Sequence, residues 1–482
     1  MLTVPMRSSV VDTPPTLTPA GHPGPPGRAP VPAERPLCVG RSARRRSPGG
    51  HRRALVSGGH PTPSEELPVR TRPRGVLVAA AVGLTLTASV SPASAHRAAE
   101  PTLLSRALLS ATAYQPGPPS GAATTPANGV TPPYPGQPVP GFSAVLPAEA
   151  GRSDGRHLLA MPDNGYGAKG NSADFLLRIY DISLDPRTAG GRGTGQVTVN
   201  GFLSLRDPDG HVPFPIVNED TPDRLLTGAD FDIESLQRDG RGDLWVGEEF
   251  GPYLLHLDAT GKVLQAPVPL PDGRKSPASP DLAPGEVPTV RSSRGFEAMA
   301  AAPGGRYLYP ILEGALTDDP DQRRRVVYEF DTRTSAYTDR TWSIRLAEPQ
   351  LVVGDAQVLG GGRRLLFIER DDFEGPEARV KRLVVADLDC TDAAGYASRR
   401  VAVDLLDIAD PGGVSSPARP GEFGVGPEFS FPLTSVESLL PLGGNRVLVA
   451  NDNNFPGNDG RIAGRPDDTE LIVLDVPGLR GR

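Results

Sequence analysis

Residues 232–262 read DIESLQRDGRGDLWVGEEFGPYLLHLDATGK. A short run around Ile233 and Leu236 leads into the turn Asp239-Gly240-Arg241-Gly242. A second run, Leu244-Trp245-Val246, ends in Glu248-Glu249, and a third, Tyr253 to Leu257, ends in Asp258. The phrase is strand, Gly-bearing turn, strand, acidic loop, strand. It recurs as FSAVLPAEAGRSDGRHLLAMPDNGYG (142–167) running on to FLLRIYD, and as GFEAMAAAPGGRYLYPILEGAL (295–316) running on to RRRVVYEFD. It returns as VVGDAQVLGGGRRLLFIERDD (352–372) before KRLVVADLD, and as SVESLLPLGGNRVLVANDNNFP (435–456) before TELIVLD.

Short apolar runs between Gly, Pro and Asp turns, with no amphipathic stretch longer than two helical turns, predict an all-β chain. A small antiparallel sheet cannot bury both of its faces alone, so a recurring three-strand phrase predicts blades stacked radially about a channel. The expectation is a β-propeller of six blades, with five to seven open. A two-sheet sandwich is the rival, but it does not explain the recurrence. Aligning the phrases puts Ala144, Glu234, Glu297, Gln357 and Glu437 at equivalent positions. The Pro- and Gly-rich segments 262–293 and 409–430 read as insertions, and 196–228 as a further, divergent blade.

Upstream the composition changes. Residues 1–68 are rich in Pro, Gly and Arg without apolar periodicity, and read as a disordered extension or a mis-set start. Residues 69–95 carry Arg70, Arg72 and Arg74, an apolar run from Val76, and Ala93-Ser94-Ala95, the pattern of a secretory signal peptide cleaved after Ala95. Residues 96–140 read as a Pro/Gly-rich linker, and the propeller is expected over 141–482. The mature protein is thus predicted to be secreted, monomeric and without a membrane span.

Residues 1–95 hold twelve of the 50 basic residues and four of the 57 acids, leaving 38 against 53, a net charge of −15. Such a balance disfavours nucleic acid as a partner and favours divalent cations. Two cysteines, Cys38 and Cys390, cannot build a disulfide scaffold, and Cys390 reads as a buried thiol. His96, His157, His211 and His256 lie far apart, which gives a zinc site no support from the sequence. Neither a nucleotide-binding Gly loop nor a G-x-S-x-G elbow occurs; Gly170-Asn171-Ser172-Ala173-Asp174 lacks the last Gly.

The acids fall at equivalent places in the phrases. Glu234, Glu297 and Glu437 occupy the first strands, with Asp230 and Asp232 just before Glu234. Asp163, Glu248, Glu249, Glu313, Asp371 and Asp452 follow the second strands. In a propeller these positions converge near one channel mouth. Calcium, which takes six to eight oxygen ligands in adaptable geometry, suits such a ring. The same carboxylates could instead cap backbone amides.

Together these motifs resemble the phytase-like domain family, whose members are described as having esterase-like activity of phytase, over about residues 140–477. The resemblance implies a secreted, calcium-assisted phosphoric ester hydrolase on a propeller, with a small phosphate ester or another ester as substrate. It implies metal ligation by Asp163, Asp230, Glu234, Glu297, Glu313, Glu437 and Asp452, to which the acidic pattern adds Asp232 and Asp371. It further implies a general base at Glu248 or Glu249, and substrate contacts from Asn171, Lys169 and the planar fork of Arg370. Arg370 could equally be held by Glu369 or Asp371, and Lys169 could be a solvated loop lysine. Two other functions stay open: a non-catalytic binding module with structural calcium, and a calcium-dependent carboxylic-ester or lactone hydrolase.

Overall fold

Leu244, Trp245 and Val246 are each almost fully buried, yet they face different neighbours. Successive strand side chains point to opposite faces of a sheet. In the computed structural model, which describes residues 100–151 and 154–480, Leu244 and Val246 pack with Leu146, Met161, Phe175 and Ile179. Trp245 packs with Phe296, Met299, Leu308 and Phe330. One sheet is therefore covered on both faces by other sheets, which explains why its middle strand reads as an unbroken apolar run.

Five four-stranded units repeat this arrangement, the first and fifth joined edge to edge where Leu108 meets Gln196. The first is Ala144–Pro147, His157–Met161, Arg178–Asp185 and Gln196–Ser204. The second is Ile233–Arg238, Leu244–Glu248, Tyr253–Leu257 and Val268–Pro269. The third is Ala298–Ala301, Tyr307–Ile311, Arg324–Asp331 and Ala336–Arg345. The fourth is Val352–Val358, Arg364–Arg370, Lys381–Thr391 and Ala397–Asp404. The fifth is Ser435–Gly443, Arg446–Asp452 and Thr469–Asp475, completed by Thr102–Leu109 from the other end of the chain.

The first strands of these sheets neighbour one another in a closed cycle, from 144–147 through 233–238, 298–301, 352–358 and 435–443 back to 144–147. Five apolar clusters fill the interfaces between successive sheets. The fold is a β-propeller. The described strands make five blades, within the expected range but not the favoured six. The supposed sixth, 196–228, divides otherwise. Gln196–Ser204 is the outer strand of the first blade, and 205–228 is a connection held by single bridges such as Arg206↔Leu225.

The expected linker is also revised. Thr102–Leu109 pairs antiparallel with Thr469–Asp475, with Arg106 opposite Ile472, and so closes the ring. Its sequence, TLLSRALL, buries Leu103, Ala107 and Leu109. Tyr114–Gln115 pairs with Gln137–Pro138, and the loop between them folds back over one end of the propeller. Asp174 accepts from the Gly121 and Ala122 amides at 2.9 Å each. Cys390 is buried in the fourth blade but is disulfide-bonded, not a free thiol. The expected signal peptide and the extension before it lie outside the described residues. Among the described residues no helix is long and apolar enough to cross a membrane.

Candidate metal centre

In an antiparallel blade the start of the first strand lies beside the end of the second. The register places Ile233 opposite Glu248, Ala298 opposite Ile311, Val352 opposite Arg370 and Ser435 opposite Asp452. All blades therefore deliver their acidic loops to one end of the channel. Close backbone approach holds the loops there: a Cβ on Gly295 would come within 2.5 Å of Glu249 Cα, and one on Gly141 would overlap Asp452. Glycine is required at both places because one blade's acidic loop rests on the entry to the next.

Asp232, Glu234, Glu249, Glu297, Glu437 and Asp452 are all buried at this mouth, and Asp163 sits at its edge. Carboxylate oxygens of Asp163, Asp232 and Glu234 lie within 4.8 Å of one another, as do those of Glu234, Glu249 and Glu297. Glu234 belongs to both groups. Burial, reinforced by the charges of Glu297, Asp232, Glu437 and Asp163, holds Glu234 well above the usual carboxylate range. Burial and neighbouring carboxylates likewise raise Asp232, Glu249, Glu297 and Asp452. Asp163 is pushed up to about 7, by burial first, against the Gly165 amide that it accepts.

These groups fit a metal ion. Asp232 Oδ1 is buried without a hydrogen bond, Glu297 Oε1 has only the Arg370 guanidinium at 3.6 Å, and a buried acceptor left unmatched is costly. The donors are all oxygens, the set that a hard divalent cation takes. The acidic groups can thus hold a metal in the place where their mutual repulsion is greatest.

Other predicted residues have different work. Glu248 accepts from the amides of Phe250, Gly251 and Tyr253 at 2.7–2.8 Å and shapes the loop after it, so it is not a spare base. Asp230 accepts from the amides of Val217 and Thr227 and from the Thr227 hydroxyl, which removes it from the metal set. Asp371 accepts from the Arg379 and Val380 amides and pairs with Lys381 Nζ at 3.0 Å. Glu313 is held by Arg294 at 2.5 Å and Arg370 at 3.1 Å.

Arg370 itself is buried, with Nη2 2.8 Å from Glu437, 3.1 Å from Glu313 and 3.6 Å from Glu297, and Nη1 2.6 Å from Asp372. Its partners are neither Glu369 nor Asp371, and it is not a free fork for phosphate. Lys169 lies 4.5 Å above the Phe250 ring, its pKa lowered by burial against the pull of Glu248, Asp230 and Asp232. Asn171 and Asp163 line a cleft of about 220 Å³ closed by Thr124, Thr125 and Ala127 on one side and Asn454–Gly457 on the other.

Sequence reasoning missed Asp355. It is the fourth blade's counterpart of Glu437, each six residues before a turn glycine, Gly361 and Gly443. Its carboxylate accepts the amides of Ala356 and, from the next blade, Leu439. Aligning on that glycine would have chosen Asp355 over Gln357. Arg294, Asp372 and the overlying loop carried no signal readable without the fold.

Residues 137–455 match the Phytase-like family, described as "Esterase-like activity of phytase". The chain belongs to this family. A curated relative of the phytase-like chain, an "Uncharacterized secreted protein" of Arthroderma benhamiae, is 24% identical over 45% of this chain and 54% of its own length, so the chain spans about half of the relative that it matches. Solved structures similar to this phytase-like chain include a GH43 β-1,3-galactosidase, 8% identical over 76% of this chain and 59% of that one, with a TM-score of 0.38. Regucalcin, a calcium-binding protein of Agrobacterium tumefaciens, is 12% identical over 62% and 86%, with a TM-score of 0.31. A PQQ-bound aldose sugar dehydrogenase of Streptomyces coelicolor is 12% identical over 78% and 100%, with a TM-score of 0.29.

Proposed function

We propose that this phytase-like chain is a secreted, calcium-assisted ester hydrolase whose preferred substrates are small phosphate esters. The observation that carries the reading is the pair of carboxylate triads sharing Glu234, each with a buried oxygen that makes no hydrogen bond, beside a cleft lined by Asp163 and Asn171. Family membership and the relative's description as secreted support it.

Asp163, Asp232 and Glu234 would hold one calcium ion, and Glu234, Glu249 and Glu297 a second. These residues would thereby supply a site where a bound calcium would neutralise phosphate oxygens and lower the pKa of a water molecule. Asn171 offers its side-chain amide to a substrate oxygen in the cleft, and Lys169 adds positive charge from the rim. Glu249, less committed than Glu248, would be the general base, and it would then leave the second ion to Glu234 and Glu297. Arg370 positions Glu437, Glu313 and Glu297, acting on the substrate only through them. The cleft lining holds no Arg or Lys, which suits a monoester or diester better than a polyphosphorylated ring.

Purified protein should release p-nitrophenol from p-nitrophenyl phosphate or its bis ester, and EGTA should abolish the release. Activity indifferent to EGTA would reject calcium assistance, and activity on p-nitrophenyl acetate alone would point to a carboxylic-ester or lactone hydrolase. The enclosure of Arg370 by carboxylates favours one second reading, a binding module whose calcium is structural. No turnover of any of the three esters, with a large calcium-dependent rise in melting temperature, would favour that reading.

A further inference from the structure

We propose that Asp239, Asp243 and His256 form a second metal site, for a transition-metal ion of the zinc class, at the end of the second blade opposite the acidic mouth. One ligand atom from each lies within 4.8 Å of the others. Asp239 follows the first strand of the blade, Asp243 precedes the second, and His256 lies on the third, opposite Trp245. The antiparallel order brings all three to the turn end, away from Glu248 and Ile233.

His256 supplies the independent sign of a ligand. It is only 7% exposed, and neither ring nitrogen makes a hydrogen bond. Nε2 points toward Asp243 Oδ2 at 3.4 Å. The ring lies flat on Trp245, 4.1 Å away at 9°, so its orientation is fixed before any ligand arrives. Asp239 is equally prepared. Its Oδ1 accepts the amides of Arg241 at 2.8 Å and Asp243 at 3.1 Å, which orients the carboxylate. A cleft of about 220 Å³, lined by Asp239 together with Gly240 and Gly304, lies beside the Asp239 carboxylate, and Asp243 is itself partly exposed.

The donor set names the class of ion. Calcium takes oxygen ligands, whereas an imidazole nitrogen with two carboxylates suits zinc and its neighbours. Three protein ligands leave a position for water. The site is independent of the acidic mouth, shares no residue with it, and is expected to persist when the mouth is disabled.

The test is zinc titration of the full chain by calorimetry in excess calcium, which occupies the mouth, with cobalt substitution as a spectroscopic check. One zinc ion should bind, and cobalt should give a visible absorption band. His256→Gln should weaken binding at least about tenfold and remove the band. Asp243→Asn, at a partly exposed turn position, should do the same with an unchanged circular dichroism spectrum, which guards against misfolding of the first variant. Glu234→Gln should keep zinc binding. Zinc binding unchanged in Asp243→Asn, its loss only in Glu234→Gln, or no zinc binding at all would overturn the proposal.

Discussion

Arg106 and Glu470 stand 364 positions apart and are joined in a buried site, Nε to Oε1 at 2.7 Å and Nη2 to Oε2 at 3.1 Å. The pair rivets the strand Thr102–Leu109 to Thr469–Asp475 of the same blade. Arg461 binds the other side of Glu470 at 3.0 Å. Replacing one partner of a buried ion pair leaves a charge without compensation, which typically costs about 3–5 kcal/mol. Glu470→Gln leaves Arg461 without a carboxylate and Arg106 with Glu422 alone, and should lose about that much, read from the urea midpoint at constant slope. An unchanged midpoint would mean that ring closure does not depend on this rivet.

The neighbouring Glu422 makes the closure pH-sensitive in a defined direction. Burial alone would raise its pKa, but hydrogen bonds from Arg419 and Arg106 overcome it and hold the carboxyl at about 2. An unfolded glutamate titrates near about 4.3. The folded state therefore binds fewer protons between these values, and the contribution of Glu422 is complete above the upper one and lost as pH falls toward the lower. The stability gap between the parent and Glu422→Gln should narrow steadily from pH 5 to pH 2. A constant gap would refute the linkage.

The acidic mouth has the opposite sign. Asp163 and Glu248 are held at about 7, and Glu234 and Glu297 are also held well above the usual carboxylate range, in each case by burial first. Without a cation these groups carry protons in the folded state. Their contribution is complete below the unfolded carboxylate range and is lost as pH rises through the folded values. In EGTA, melting temperature should fall as pH rises toward 8, and calcium should flatten that slope. Asp232→Asn and Glu234→Gln should blunt the calcium response. Glu248→Gln should instead cost about 1–3 kcal/mol, because its NH2 cannot accept the Phe250 amide while its carbonyl still accepts those of Gly251 and Tyr253, and keep the response.

Much of this was legible because strand alternation and turn glycines are local signals. The five phrases are the five blades, and the error of a sixth came from counting an outer strand, Gln196–Ser204, as a new unit. Composition misled at 96–140, where the density of Pro hid the eight-residue strand TLLSRALL, whose partner lies at the other end of the chain. Glu248 and Glu249 show the limit most sharply. They are adjacent and chemically alike, yet the strand's end turns one toward three backbone amides and the other toward the mouth. Which does which is decided by the path of residues 250–253 and by Gly295 from the next blade. Neither is visible in a pattern of residue types.

Arg370 separates structural from substrate-binding cations. Arg370→Met would leave Glu437, Glu313 and Glu297 repelling one another with less compensation. In EGTA the variant should lose about 3–5 kcal/mol, and calcium should restore more stability to it than to the parent. If stability were unchanged while KM for a phosphate ester rose, Arg370 would be a substrate ligand and the carboxylate cage incidental.

The loop that covers the mouth offers the last discrimination. Thr125 is exposed and lines the cleft opposite Asn171, while Asp163, on the same wall as Asn171, belongs to the calcium-binding set proposed above. Thr125→Trp would fill a large part of a space of about 220 Å³ while leaving every carboxylate of the mouth in the sequence. A substrate that enters there must be excluded or displaced, so KM for the hydrolysed ester should rise at least about tenfold, with kcat little changed, because uniform binding is what has been removed. The calcium-dependent rise in melting temperature should be that of the parent, since the acids and their spacing are intact. An unaltered KM would place the substrate elsewhere on the propeller and leave the overlying loop as packing for Tyr134, Tyr166 and Phe455, whose rings it joins.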